Sequence, residues 1–144
     1  MKRIRWTVTS VALIAFALLA GGCGGSSGEE AVSEPARVES GGGVTKVVLS
    51  ADAAKLLGVE TAPVHAAAGG KRLIPFAAVL YDPNGKTWTY TSPKPLVFVR
   101  RDIRVDRIDG ERAILSAGPP TGTPVVTVGA TEIWGVEYGG IEED

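Results

Sequence analysis

Cys23 and His65 are the only cysteine and the only histidine of this chain, and they limit the chemistry it can carry out. A zinc site draws on several His, Cys and carboxylate ligands, and a Ser-His-Asp relay needs an imidazole held by an acid. His65 sits in a joint of small residues, Ala66-Ala67-Ala68-Gly69-Gly70, and reads as a solvated loop residue. The Asp and Glu side chains fall on charged faces, turns and the acidic run at the end, the pattern of a solvated surface. Gly85-Lys86-Thr87 repeats the close of a phosphate-binding loop, but the upstream glycine is missing and Asp82-Pro83-Asn84-Gly85 is a turn signal. Gly22, Gly24 and Gly28 lack the strand before and the helix after that a phosphate loop requires. Arg100, Arg101, Arg104 and Arg107 interleave with Asp102, Asp106 and Asp109, which reads as a mixed-charge strand face rather than an anion patch. These residues predict no catalytic group, no metal and no cofactor, and hence a non-enzymatic protein.

Cys23 carries the one reactive side chain with an informative setting. Lys2, Arg3 and Arg5 precede a continuous apolar run, Val11 to Ala20, and Gly21-Gly22 then lead into Cys23. That order is the pattern of a secretory signal peptide, and the run is about half the roughly 20 residues a membrane-spanning helix needs. Leu18-Leu19-Ala20-Gly21-Gly22-Cys23 resembles the lipobox of bacterial lipoproteins, although Ala20 stands where that family usually has Leu. The resemblance implies residues 1–22 as signal peptide and Cys23 as a lipidated N-terminus, with diacylglycerol and palmitate-type chains. More than one chain gives stable attachment, since each buried methylene contributes roughly 0.8 kcal/mol. The expected location is the extracytoplasmic face of the cell membrane. Loss of Lys2, Arg3 and Arg5 with the signal takes the formal charge from −1 to −4. That sign argues against nucleic acid and against electrostatic adhesion to anionic lipid.

Beyond Cys23, composition divides the chain. Residues 23–43 are rich in Gly, Ser and Glu and nearly free of large apolar side chains, so they predict a flexible tether. Its mean span would be on the order of 25 Å. Residues 44–138 predict one small domain, and residues 139–144 an acidic tail. Val44 to Leu49 reads as a strand. Ser50 then caps a short helix over Ala51 to Leu57, with Gly58 placed for its C-cap. Val59 to Val64 reads as extended, and Leu73 to Tyr81 as a strand interrupted at Pro75. Lys86 to Thr91 returns from the Asn84-Gly85 turn, and Leu96 to Ile108 alternates as one long half-buried strand. Asp109-Gly110 is a second hairpin signal, Pro124 to Val128 a further strand, and Gly129 to Trp134 a last strand or a helical turn. The pattern predicts a mainly β, small antiparallel sandwich or barrel-like domain with one short helix. Trp88, Tyr90, Trp134 and Tyr138 read first as core and edge packing; they are also the best candidates for partner binding, because aromatic residues dominate protein contacts.

Two separated segments resemble the membrane-proximal domain of periplasmic adaptor subunits, the membrane fusion proteins of resistance-nodulation-division efflux systems. The first runs from Val47-Val48-Leu49-Ser50 through Leu57-Gly58-Val59-Glu60-Thr61-Ala62-Pro63-Val64. The second begins at Ile74-Pro75-Phe76-Ala77-Ala78-Val79-Leu80. It continues through Thr87-Trp88-Thr89-Tyr90 and Arg101 to Val105, and ends at Ala117 to Ala130. In adaptors a lipoyl-like module, a helical hairpin and a β-barrel separate the two segments. Here only His65 to Arg72 lies between them, and no heptad run marks a hairpin. The resemblance therefore implies a minimal, lipid-anchored accessory domain beside an efflux transporter, with a permease subunit as partner. It does not imply the bridge to an outer-membrane duct. The methionine copper site of some metal-efflux adaptors is missing, because Met1 is the only methionine. The residues also leave open a free-standing extracytoplasmic binding or structural lipoprotein of the envelope.

Overall fold

A computed structural model describes residues 34–139, which lie within one compact unit. The signal peptide, the lipidation candidate Cys23 and residues 140–144 of the acidic tail are outside the described residues.

The first strand begins inside the predicted tether. Strand β1 (Ala36–Gly41) pairs antiparallel with β2 (Val44–Leu49), from Ala36 opposite Leu49 to Gly41 opposite Val44. Gly42 and Gly43 form the connection with φ of 60° and 75°. Positive φ at both centres defines the type I′ turn whose twist matches a hairpin. The boundary at residue 44 is therefore corrected: a Gly-Gly hairpin signal outweighs the polar composition around it.

Ser50 caps α1 (Ala51–Leu56), its hydroxyl accepting from the Ala53 amide at 3.1 Å, and Gly58 closes the helix at φ 60°. The chain continues through β3 (Glu60–Pro63), β4 (His65–Ala66) and β5 (Arg72–Pro75). A short 3-10 turn over Phe76–Ala78 separates β5 from β6 (Leu80–Tyr81), so the expected single strand from Leu73 to Tyr81 is two strands in different sheets. Strand β7 (Thr87–Lys94) runs three residues past the expected end at Thr91, with a register irregularity between Thr91 and Lys94 that accommodates Pro93.

The predicted long strand is also divided. Strand β8 (Val97–Asp102) lies in one sheet and β9 (Arg104–Asp109) in the other. Ile103 between them turns its side chain into the core, and Thr87 grips it twice. The Ile103 amide donates to the Thr87 carbonyl at 3.0 Å, and the Thr87 hydroxyl donates to the Ile103 carbonyl at 2.8 Å. Strands β10 (Arg112–Ala117) and β11 (Pro124–Val128) follow. The final element is a helix, α2 (Ala130–Gly139), which runs past Trp134 and past the expected domain end at 138.

The result is a small, mainly β antiparallel sandwich. A seven-stranded sheet has the order β1-β2-β8-β7-β11-β3, with β6 also paired to β7, and a four-stranded sheet has the order β4-β5-β10-β9. The short helix α1 is joined by the longer α2. On one face of the large sheet Val47, Leu49, Trp88, Tyr90, Phe98 and Val126 pack with Ala130 and Ile133 of α2 and with Ala53, Ala54 and Leu57 around α1. On the other face Val125 packs with Ile74, Ala113 and Leu115 of the small sheet, together with Val64 and Ile103. Neighbours along a strand point to opposite faces, so Val125 and Val126 serve the two cores.

Candidate functional site

The most densely built polar group lies where α2 crosses the large sheet. Ala130, Ile133 and Glu137 form the buried face of α2 at helical spacing. Glu137 is thus a charged residue on an otherwise apolar stripe, and an unpaired buried carboxylate would be costly. Its needs are met from the sheet. The Tyr90 hydroxyl on β7 donates to Glu137 Oε2, and Arg100 Nη2 on β8 reaches the same oxygen at 3.3 Å. Tyr90 and Arg100 are register partners on neighbouring strands, so the ladder itself presents both donors to one carboxylate.

Aromatic rings complete the cluster. The Arg100 guanidinium lies over the Trp88 ring at 4.2 Å and near the Tyr138 ring at 5.9 Å, contacts each worth about 0.5–2 kcal/mol. Trp88 meets Tyr90 edge-on at 4.9 Å and Trp134 at 5.4 Å, and Trp134 meets Tyr138 at 5.7 Å. Burial, then the hydrogen bond to Glu137 and its charge, push the Tyr90 phenol well above its ordinary range. Tyr90 is therefore a fixed neutral donor. Burial works against the Arg100 charge, but Glu137 and Tyr90 outweigh it and hold the guanidinium above its usual value. Together they form a clasp that keeps Tyr90 protonated and Arg100 charged.

Beside the clasp the large sheet opens. The pairs between β2 and β8 are Lys46–Val99, Val47–Phe98 and Val48–Val97, and the ladder goes no further. A cleft of about 430 Å³ fills the fork, lined by Val44, Thr45, Arg100, Arg101, Asp102 and Glu137. Among the described residues no three His, Cys, Asp or Glu side chains converge in a way that could hold a metal ion.

The four aromatic candidates for partner binding come together, but not all on the surface. Trp88 and Tyr90 are 2% and 1% exposed, so they have no area to offer a partner, and that expectation is corrected: both are core. Trp134 is half-buried and Tyr138 is 56% exposed, and with Thr131 and Gly135 they line a shallow apolar hollow of about 280 Å³ on α2. Nothing in the sequence marks Glu137 and Arg100 as a pair. Glu137 carried a usable signal, its i+4 spacing from Ile133, but only once the segment is known to be helical.

The remaining candidates stay apart. His65 is exposed on β4 opposite Leu73. Gly85-Lys86-Thr87 belongs to a turn in which Asp82 Oδ1 accepts from the Asn84 and Lys86 amides, both at 2.8 Å. Lys71 pairs with Asp106 at 2.7 Å, and its hydrogen bond lowers the Asp106 carboxyl below its usual range. No helix among the described residues is long and apolar enough to cross a membrane. No known family model matches the chain, and no significant match was found among curated proteins or solved structures.

Proposed function

We propose that the chain is a non-enzymatic, lipid-anchored accessory protein on the extracytoplasmic face of a cell membrane, an adaptor-like β domain associated with an efflux transporter. One observation carries the reading. The two sequence segments that resemble the ends of an adaptor chain close directly onto each other: β3 pairs with β11, with Thr61 opposite Val126 and Ala62 opposite Val125. Leu49 from the first segment and Val126 from the second share one core cluster. The intervening joint is a two-residue strand and a 3-10 turn at Ala68–Gly70. A unit made from two chain ends needs nothing larger to complete it, which supports the minimal-domain reading.

Two measurements test it. Replacing Cys23 with Ser should release the protein from the membrane fraction, and continued tight retention would count against the lipid anchor. The lipidated protein should co-purify with a transporter permease after mild crosslinking, and recovery without any permease would overturn the transport assignment. The fork beside Arg100 favours the second reading, a free-standing binding lipoprotein, because a concave site with convergent polar groups is where a small ligand would sit. A small molecule retained by the purified protein, lost on Arg101→Ala, would favour that reading.

A further inference from the structure

We propose that the helical face of the domain, centred on Leu56 of α1 and on Trp134 and Tyr138 of α2, rests on the lipid interface of an uncharged phospholipid bilayer. This rests on the lipid-anchor reading. Both helices pack on the same face of the large sheet, because Ala53, Ala54 and Leu57 meet the same cluster as Ala130, Ile133 and Trp134. Among the described residues the two helices leave large apolar side chains uncovered: Leu56 is 87% exposed and Tyr138 56%. Tyr138 has an exposed ring with a polar hydroxyl at its tip, a residue type that settles at a membrane interface, and Trp134 adds only apolar ring surface to the hollow, its Nε1 being buried.

The chain between Cys23 and the fold says what covers the face. Glu34 is eleven peptide steps from Cys23, a reach of at most about 40 Å whatever the conformation. A body of this length has a radius of gyration near 13 Å, so the anchor keeps the domain within about its own diameter of the bilayer. The chain enters at the helical face, where the Ser50 amide at the cap of α1 donates to the Pro35 carbonyl at 2.9 Å. A protein partner fits the hollow less well, since stable interfaces engage about 20–30 residues a side and the hollow has four. Charge selects the lipid. Asp52 and Glu132 outnumber Lys55 among the ionic side chains of α1 and α2 that are not in the clasp, and the chain after Cys23 is net negative, so an uncharged surface suits it better than an anionic one. The patch is too small to hold a free protein. A tether supplies an effective concentration in the millimolar range, which makes a weak contact sufficient.

The test uses the chain from Cys23 onward, coupled through its sole cysteine to a maleimide lipid in phosphatidylcholine vesicles with brominated acyl chains. Its tryptophans are Trp88, which is buried, and Trp134. An interfacial helix sits about 5–10 Å into the headgroup boundary, so Trp134 emission should fall about twofold on tethering. The uncoupled protein in the same vesicles should be unquenched. A Trp134→Phe variant should keep its Trp88 emission, and adding Leu56→Trp to that variant should restore the quenching from α1. Equal emission with brominated and plain lipid, equal loss in Trp134→Phe, or quenching that grows with added phosphatidylglycerol would each overturn the proposal. So would a dimer in sedimentation that Tyr138→Glu dissolves, which would make a second copy the cover. Because the tether is chemical, a negative result leaves the cellular anchor untouched, and retention of Cys23→Ser in cells leaves this result untouched.

Discussion

The Tyr90 hydroxyl in the middle of β7 donates a hydrogen bond to the Glu137 carboxylate near the end of α2, forty-seven residues further along the chain. With Arg100 on the same oxygen, this contact ties the last helix to the centre of the large sheet. A hydrogen bond to a charged group contributes about 1.5–3 kcal/mol. Tyr90→Phe keeps the ring and its contact with Trp88 but removes the donor, so urea unfolding should show a loss of that size at unchanged m. A loss under about 0.5 kcal/mol would mean that the Tyr90 bond adds little and that Arg100 and apolar packing hold α2.

The same phenol fixes a pH dependence. Its ionisation is pushed above the ordinary 10.0 by burial first and by Glu137 second. In the unfolded chain it ionises near pH 10, so at higher pH the unfolded state binds fewer protons than the folded one. The stabilisation from Tyr90 is therefore complete below pH 10 and is lost as pH rises beyond it, at up to about 1.4 kcal/mol per pH unit. Lysines titrate in the same range, so the measured quantity is the difference from Tyr90→Phe. That difference should shrink between pH 10 and pH 11.5, and a constant gap would contradict the assignment.

Features set by local chemistry were legible in the sequence. Ser50 and Gly58 bracket α1 as their capping preferences require, and Asp82 and Gly85 build the turn before β7. Features set by the rest of the molecule were not. The alternation from Val97 to Val105 is that of a single strand, and only the grip of Thr87 on Ile103 divides it between two sheets. In α2, Gly135 and Gly139 weaken the helix signal, and its formation depends on the cores and donors it meets. The sequence leaves Trp88 and Tyr90 open between core and interface, because it does not reveal that α2 covers them. Glu137 and Arg100 pair only through that same docking.

Strand β1 gives a prediction at the corrected boundary. A chain beginning at Val44 keeps the pairing of β2 with β8 but loses all six β1 partners of β2 and the packing of Ala36 against the core beside Leu49. The edge then exposed presents unpaired backbone groups on Val44 to Leu49, a template for association. Compared with a chain beginning at Glu34, it should show a lower urea midpoint and concentration-dependent aggregation in light scattering. Equal midpoints would restore residue 44 as the true start of the domain.

Two glycines, one just before α2 and one inside it, should respond oppositely to alanine. Gly129, between β11 and α2, has φ +84°, and a Cβ there would meet Val59 Cγ2 at 3.0 Å and the Leu57 carbonyl oxygen at 3.6 Å. Positive φ disfavours any side chain, and the Val59 contact is too close to absorb without movement. Gly129→Ala should therefore destabilise by more than about 1 kcal/mol. Gly135 lies inside α2 with ordinary φ and open space around its Cα. Alanine there should stabilise by about 0.5–1 kcal/mol, the helix preference of Ala over Gly. Thermal or urea unfolding of both variants checks the pair. Equal and small effects would show that the turn at Gly129 does not set the angle at which α2 leaves the sheet. The clasp at Glu137 would then have to fix that angle alone.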